Sequence, residues 1–138
     1  MSTNEAEIEK EIQAKGLNAP RLTPQMIDDQ IIGEYVVRAS DAFTGAPSHD
    51  ALKCLTLCVL VLRNGYTVTG ESACASPENF DAELGYKIAR ENARKKIWAL
   101  EGYRLRSELA DRELRRRMGI VEAAANEFAT SGTFGGRK

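Results

Sequence analysis

Apolar and polar positions are patterned most sharply between residues 52 and 70. Residues 52–63 are rich in β-branched and apolar side chains, Asn64-Gly65 follows, and Tyr66-Thr-Val-Thr-Gly70 resumes the pattern. Asn-Gly between two such runs predicts a β-hairpin, because a type I′ turn needs positive φ at both central positions. A two-residue turn would pair Arg63 with Tyr66, Val61 with Val68 and Val59 with Gly70. One face then carries Leu55, Leu57, Val59, Val61, Tyr66 and Val68, all apolar. The other carries Cys58, Leu60, Leu62, Thr67, Thr69 and Glu71, half of them apolar. A lone two-stranded ribbon is marginal in water, and here both faces need cover. The chain's own helices suffice for one side. The other side, or a sheet edge, is expected to meet a second copy, with cover by the N-terminal helices as the alternative.

Helical patterns flank the hairpin. Residues 4–15 read as a short helix with Asn4 as N-cap, an acidic first turn and Gly16 as its stop, though only Ile8 and Ile12 form an apolar pair. A second helix starts at Thr23-Pro24, with Met26, Ile27, Ile31 and Ile32 as its inner face. Residues 34–39 fit either a continuation of that helix or a strand, and residues 40–50 are loop by composition. Ser76-Pro77-Glu78 predicts the start of a long helix. At 100° per residue, Phe80, Ala82, Leu84, Gly85, Ile88, Ala89 and Ala93 share one arc, with Glu83, Lys87, Arg90 and Arg94 opposite. Gly85, Ala89 and Ala93 form a small-residue strip that would let another backbone come close. The pattern breaks near residues 98–102, so a second long helix is expected over 100–117, extended by 119–130, before a Gly-rich tail, 131–138, expected to be disordered.

The predicted class is α+β: a β-hairpin core followed by two long C-terminal helices, with short N-terminal helices, assembled as an oligomer. Residues 1–22 form an acidic helical segment, 23–118 one domain, and 119–138 a helical extension and tail. A length of 138 residues suits a single core. The longest dense apolar run, residues 55–62, is strand-sized and far short of the roughly 18 residues of a membrane span. The first residues lack the basic and apolar regions of a signal peptide, which predicts a cytosolic location.

Charge adds an asymmetry that the net value of −1 conceals. Residues 1–83 carry 6 Lys/Arg against 13 Asp/Glu, a net of −7, and residues 84–138 carry 13 against 7, a net of +6. Such a split suits head-to-tail attraction or an anionic ligand on the basic half, and also simple solvated helix faces. Along 100–117, Glu101, Glu108, Asp111 and Glu113 alternate with arginines at pairing distance, which favours a salt-bridged surface. With a pI of 5.9, the chain does not look like a DNA binder.

Candidate chemistry is sparse. His49, Cys54, Cys58 and Cys74 supply the residue types of a Cys₃His zinc site, but Cys54 and Cys58 on one strand would stand about 13 Å apart. Buried cysteines acting as small hydrophobes fit better, and an odd count argues against a disulfide framework. No nucleophile–histidine arrangement, phosphate loop or dinucleotide fingerprint is present, so no enzyme, metal or cofactor is expected. Asn92 falls inside the apolar arc, where its amide needs a partner: a strand, a dimer mate or a ligand.

The residues 57–81, containing Asn-Gly-Tyr-Thr-Val-Thr-Gly and Ser-Pro-Glu-Asn-Phe-Asp, resemble a family of small tailed-phage and prophage proteins catalogued from podoviruses of enteric bacteria. The continuation Ala89-Arg-Glu-Asn-Ala93 through Ile97-Trp-Ala-Leu-Glu-Gly-Tyr103 resembles it too. The likeness spans about residues 23–109. In that family proline often stands where this chain has Ala99, which would soften the expected break here. The resemblance implies a phage origin and the host bacterial cytoplasm, but no reaction. The layout, a hairpin followed by two helices in an oligomer, is similar to phage sponge proteins of the Thoeris anti-defence kind, which bind nucleotide immune signals without cleaving them. It implies capture of an anionic nucleotide-type ligand between subunits. The contacts expected on this chain are Phe80, Asn92, Arg104 and Arg106, with Arg63 and Arg90 behind them, chosen by chemistry and position. The alternative is a helical interaction protein that binds a host or phage macromolecule, protein or DNA.

Overall fold

The structure, a computed structural model, describes residues 3–128 except 46 and 48. The expected tail over 131–138 lies outside the described residues. Two compact units are present, Met1–Gly102 and Tyr103–Lys138.

In the first unit, helix α1 (Thr3–Ala14) ends at Gly16, whose φ of 66° no other residue type adopts cheaply. Leu17 N–H returns to Ile12 C=O at 3.3 Å, closing the last turn. Helix α2 (Pro24–Asp29) is capped by Thr23, whose hydroxyl accepts from Met26 N–H at 3.2 Å. It is shorter than its apolar pattern suggests. Ile27 is its one fully buried aliphatic side chain, Met26 is exposed, and Ile31 and Ile32 leave the helix for strand β1 (Ile31–Arg38). The strand form prevails because Ile31-Ile32 and Tyr35-Val36-Val37 favour extended backbone and gain a ladder with strand β2 (Leu55–Leu62). Between them, α3 (Ala39–Ala42) and a 3-10 turn (Asp50–Cys54) lie in the connection that joins these antiparallel neighbours.

Strand β3 (Thr67–Ala73) completes an antiparallel sheet in the order β1-β2-β3. The hairpin is where the sequence puts it, but its register differs by one residue: Leu60 pairs with Val68, Val59 with Thr69 and Cys58 with Gly70. The cause is the turn. Asn64 does not take positive φ; only Gly65 does, at 88°. Gly65 N–H bonds Leu62 C=O at 2.8 Å, Leu62 N–H bonds Tyr66 C=O at 2.8 Å, and the Asn64 side chain accepts from Tyr66 N–H at 3.0 Å. This is a three-residue loop, a type I turn with a glycine bulge, instead of the type I′ turn. Because side chains alternate, the slip moves Val68 to the face of Cys58, Leu60 and Leu62.

That face is the core. Ile27, Cys58, Leu60, Leu62, Val68, Ala89, Ala93 and Ile97 form one buried cluster, with Leu22, Ile31 and Trp98 against it. Leu60 and Leu62 are therefore covered by their own chain, which removes the reason they gave for a second copy. Helix α4 (Ala82–Phe128) does the covering with its first part, and the small-residue strip explains how. A Cβ on Gly70 would stand 2.2 Å from Ala89 O and 2.3 Å from Ala93 N, so helix and strand backbones meet there. Gly85 likewise faces the Thr56 hydroxyl.

Two details of α4 correct the sequence reading. It begins at Ala82, capped by Asp81, which accepts from Leu84 N–H at 3.0 Å, while Pro77–Asn79 form a separate 3-10 turn in which the Ser76 hydroxyl makes no cap. It also runs unbroken through residues 98–102, so one C-terminal helix replaces two. Trp98, Ala99, Leu100 and Glu101 are adequate helix formers, and the single Gly102 costs only about 1 kcal/mol. The buried stripe is Ala89, Ala93 and Ile97, with Gly85 half-buried at its start; Leu84 and Ile88 are exposed.

The second unit, described by itself, is helical from Tyr103 to Phe128. Its charges pair within the helix. Arg104 reaches Glu108 at 3.6 Å, and Glu113 binds Arg116 at 2.7 Å and Arg117 at 3.1 Å.

Candidate functional site

The sequence-chosen residues do not converge on one place. Arg63, at the turn, donates from Nε to Asp29 C=O at 2.6 Å. Asn92 donates to the Glu71 carbonyl of β3 at 2.8 Å, the strand partner its position called for. Arg90 binds Glu34 of β1 at 2.7 Å, and the Tyr86 hydroxyl donates to the same carboxylate. Burial opposes ionisation of Glu34, yet the Tyr86 and Arg90 hydrogen bonds outweigh it and hold the carboxyl below its ordinary range. Phe80 lies at the far end of the sheet, and Arg104 and Arg106 belong to the second unit.

Three other features stand out, and in them Arg94, Tyr35 and Arg38 were not singled out from the sequence. The first surrounds Arg94, which the helical wheel places on the solvent side but which is fully buried. Its guanidinium takes Glu5 of α1 in a two-point fork at 2.7 and 2.8 Å, Asp28 of α2 at 2.7 Å, and the Pro24 carbonyl at 3.2 Å. Burial disfavours its charge, but the Glu5 and Asp28 hydrogen bonds prevail and raise its pKa further above the ordinary arginine value. Trp98 Nε1–H adds a bond to Glu5 at 3.2 Å. The signal was present in α1: a helix with one apolar pair and many carboxylates has to be held by a cation.

A second ion pair secures the same helix. Arg21 binds Glu9 from both terminal nitrogens at 2.8 Å. Those bonds, with one from Gln13, lower the Glu9 pKa from 4.5 to about 2. Between these values the unfolded chain binds the proton that the folded chain refuses. The contribution of Glu9 is thus complete above about pH 4.5 and fades as the pH falls toward 2. Urea titrations of the wild type and Glu9→Gln should differ clearly at pH 6, with a gap that narrows as the pH falls from about 4.5 toward 2; a constant gap would contradict this assignment.

The second feature is the sheet face turned away from the core. Along β2 the odd positions Leu55, Leu57, Val59 and Val61 keep partial exposure, while every even position from Thr56 to Leu62 is buried. Beside them on β1, Tyr35 is 65% exposed and Val37 38%. A Cβ on Gly33 would touch Tyr35 Cε2 at 3.2 Å and Val61 Cβ at 3.3 Å, so the tyrosine ring lies across the glycine and levels this face. β1 is an edge strand, paired only with β2. Ile32, at the bulge, is exposed on the same edge strand, while Val36 pairs with Cys58 and points to the other face.

The third is the end of the sheet where Arg38 sits 3.7 Å over the Phe80 ring. Arg38 Nε also donates to Lys53 C=O at 2.6 Å, which fixes the stack. On one side of Phe80 is a cavity of about 130 Å³ bordered by Cys54, Thr56, Cys74, Gly85 and Ile88. On the other is a shallower hollow of about 320 Å³ bordered by Val36, Arg38 and Asp41. Among the described residues no group of three or more His, Cys, Asp or Glu side chains is placed to hold a metal ion. No helix of the described residues is long and apolar enough to cross a membrane.

The model of a family described as phage protein (N4 Gp49/phage Sf6 gene 66) matches residues 22–109, which take in all three strands and the buried part of α4. No curated protein and no solved structure matches the chain.

Proposed function

As the chain belongs to the N4 Gp49/phage Sf6 gene 66 family of phage proteins, we propose that it is a non-enzymatic phage accessory protein that works in the host cytoplasm by binding a protein surface. The observation that carries this reading is the open sheet face around Tyr35, an aromatic 65% exposed at the centre of an edge strand. Aromatic anchors amid aliphatic side chains are the usual composition of an interface core, and an unpaired strand edge beside them offers main-chain hydrogen bonds. Among the described strand residues only Glu71 brings charge to this face, which suits a protein partner and not the phosphates of a nucleic acid.

A second reading, capture of a nucleotide-type immune signal to counter host defence, is favoured by the Arg38–Phe80 stack. Its two hollows differ in capacity. The cavity of about 130 Å³ is below the roughly 300–1,000 Å³ of small-molecule sites, whereas the hollow of about 320 Å³ is at its lower limit. A homo-oligomer would serve either reading, by placing a second copy on the sheet or by deepening the hollow.

One experiment separates them. Wild type, Tyr35→Glu and Phe80→Ala are compared in capture of proteins from phage-infected cells and in calorimetric titration with cyclic nucleotides and ADP-ribose derivatives. Light scattering tells a second copy from a different partner. The first reading expects Tyr35→Glu to fold normally and lose at least tenfold in capture, with no heat from any nucleotide. Unchanged capture by Tyr35→Glu defeats it. Nucleotide heat abolished by Phe80→Ala establishes the second.

A further inference from the structure

Cys54 and Cys74 stand opposite each other where β2 and β3 begin and end. The ladder pairs Leu55 with Ala73, and one step beyond it Cys74 N–H bonds Cys54 C=O at 3.1 Å. Opposed residues of that hydrogen-bonded kind have Cα atoms about 5.5 Å apart. A disulfide spans about 4.4–6.8 Å, so the backbone already suits the bond. The Cys74 thiol lies 3.6 Å from Cys54 C=O, against the backbone of the residue opposite it. Both border the cavity beside Phe80. Cys58, four residues along β2, is fully buried against α4 and opposes Gly70, so it has no thiol to meet.

We propose that Cys54 and Cys74 form a reversible intramolecular disulfide, a modification site that takes glutathione disulfide or a similar low-molecular-weight disulfide as oxidant. Cys74 is the more exposed of the two and is attacked first. Its thiolate, having lost a proton to water, attacks one sulfur of glutathione disulfide and expels a glutathione thiolate, leaving a mixed disulfide on Cys74. The Cys54 thiol loses its proton as its sulfur attacks the Cys74 sulfur and expels the second glutathione thiolate. The two protein thiols are oxidised to one disulfide, and one glutathione disulfide is reduced to two glutathione thiols. Burial pushes the Cys54 thiol up, as it does that of Cys58, which makes the ring-closing step the slow one. The closed bond would tie the 3-10 turn before β2 to the end of β3 and withdraw both thiols from the cavity wall.

The test uses the full-length protein incubated with glutathione disulfide, alkylated, digested with trypsin and analysed by mass spectrometry without reduction. The expected product links peptide 54–63 to peptide 64–87, with fragmentation placing the bond at Cys54 and Cys58 alkylated. Dithiothreitol should reverse it, and the thermal midpoint of the oxidised form should rise by about 5 °C or more. Cys58→Ser should form the same link. Cys54→Ser should stop at a glutathione adduct on Cys74, and if that variant does not fold, the wild-type and Cys58→Ser digests decide alone. A bond through Cys58, disulfides only between molecules, or adducts on the wild type that never close would each overturn the proposal.

Discussion

Gly70→Ala is expected to cost at least about 3 kcal/mol, enough to leave much of the protein unfolded at 37 °C. Overpacking a core site usually costs about 1–3 kcal/mol, because side chains can rotate out of the way. Here nothing can rotate. The added Cβ would stand 2.2 Å from Ala89 O and 2.3 Å from Ala93 N, both helix backbone atoms. Relief would require α4 to lift from β3, and with it the contact of Ala89 and Ala93 with the core cluster. The Asn92 bond to Glu71 C=O, beside the contact, would break as well. Gly65→Ala is the comparison: its positive φ makes alanine unfavourable by about 1 kcal/mol, with open space around the new methyl. Urea denaturation of both variants measures the difference. Equal losses would mean that helix and strand do not touch at Gly70.

Arg94→Met is expected to cost about 3–5 kcal/mol, the usual penalty for removing one partner of a buried ion pair. Methionine keeps most of the volume, so the loss reports charge and hydrogen bonds rather than a cavity. Glu5 and Asp28 would lose the guanidinium they share, and the Pro24 carbonyl would lose a donor. Arg94→Lys should recover only part of the loss, since one ammonium cannot serve α1, α2 and the Pro24 carbonyl in the fork geometry of a guanidinium. Limited proteolysis supplies a second readout. The variant should be cut first within residues 1–22, as α1 comes away from Trp98. A variant as resistant there as the wild type would show that Arg94 does not hold the helix.

Much of the architecture was legible because it rests on local chemistry. Asn64-Gly65 marked the hairpin, Thr23-Pro24 marked α2, and Gly85, Ala89 and Ala93 announced a close backbone approach. The errors came where tertiary contact outvoted local pattern. The turn residues suit two loop lengths, and the choice of the longer one moved Val68 across the sheet. The more apolar side of β2, with Leu55, Leu57, Val59 and Val61, then became the open side. The helix went to the other, where Gly70 and Thr56 leave room for it. Volume, not hydrophobicity, chose the core face. Arg94 was misplaced for a related reason. A helical wheel ranks arginine as solvent-facing and cannot know that carboxylates from residues 5 and 28 will meet it. The ligand residues were chosen by chemistry and expected position, and the fold distributes them among the hairpin turn, the segment before α4, the first part of α4 and the second unit. Their backbone and carboxylate partners are set by pairing between distant segments, which a linear reading does not contain.

The clasp on α1 also has a consequence in time. Glu5 and Arg94 are separated by 89 positions, so at translation speeds of about 5–20 residues per second the ribosome delivers them roughly 5–20 s apart. Among the described helices α1 is made before α4, so its clasp to α4 is the later of its two ion-pair attachments to close. A polypeptide released before α4 is finished would leave Glu5 without Arg94 and Trp98, and α1 would be a looser segment for host proteases than it is in the completed molecule.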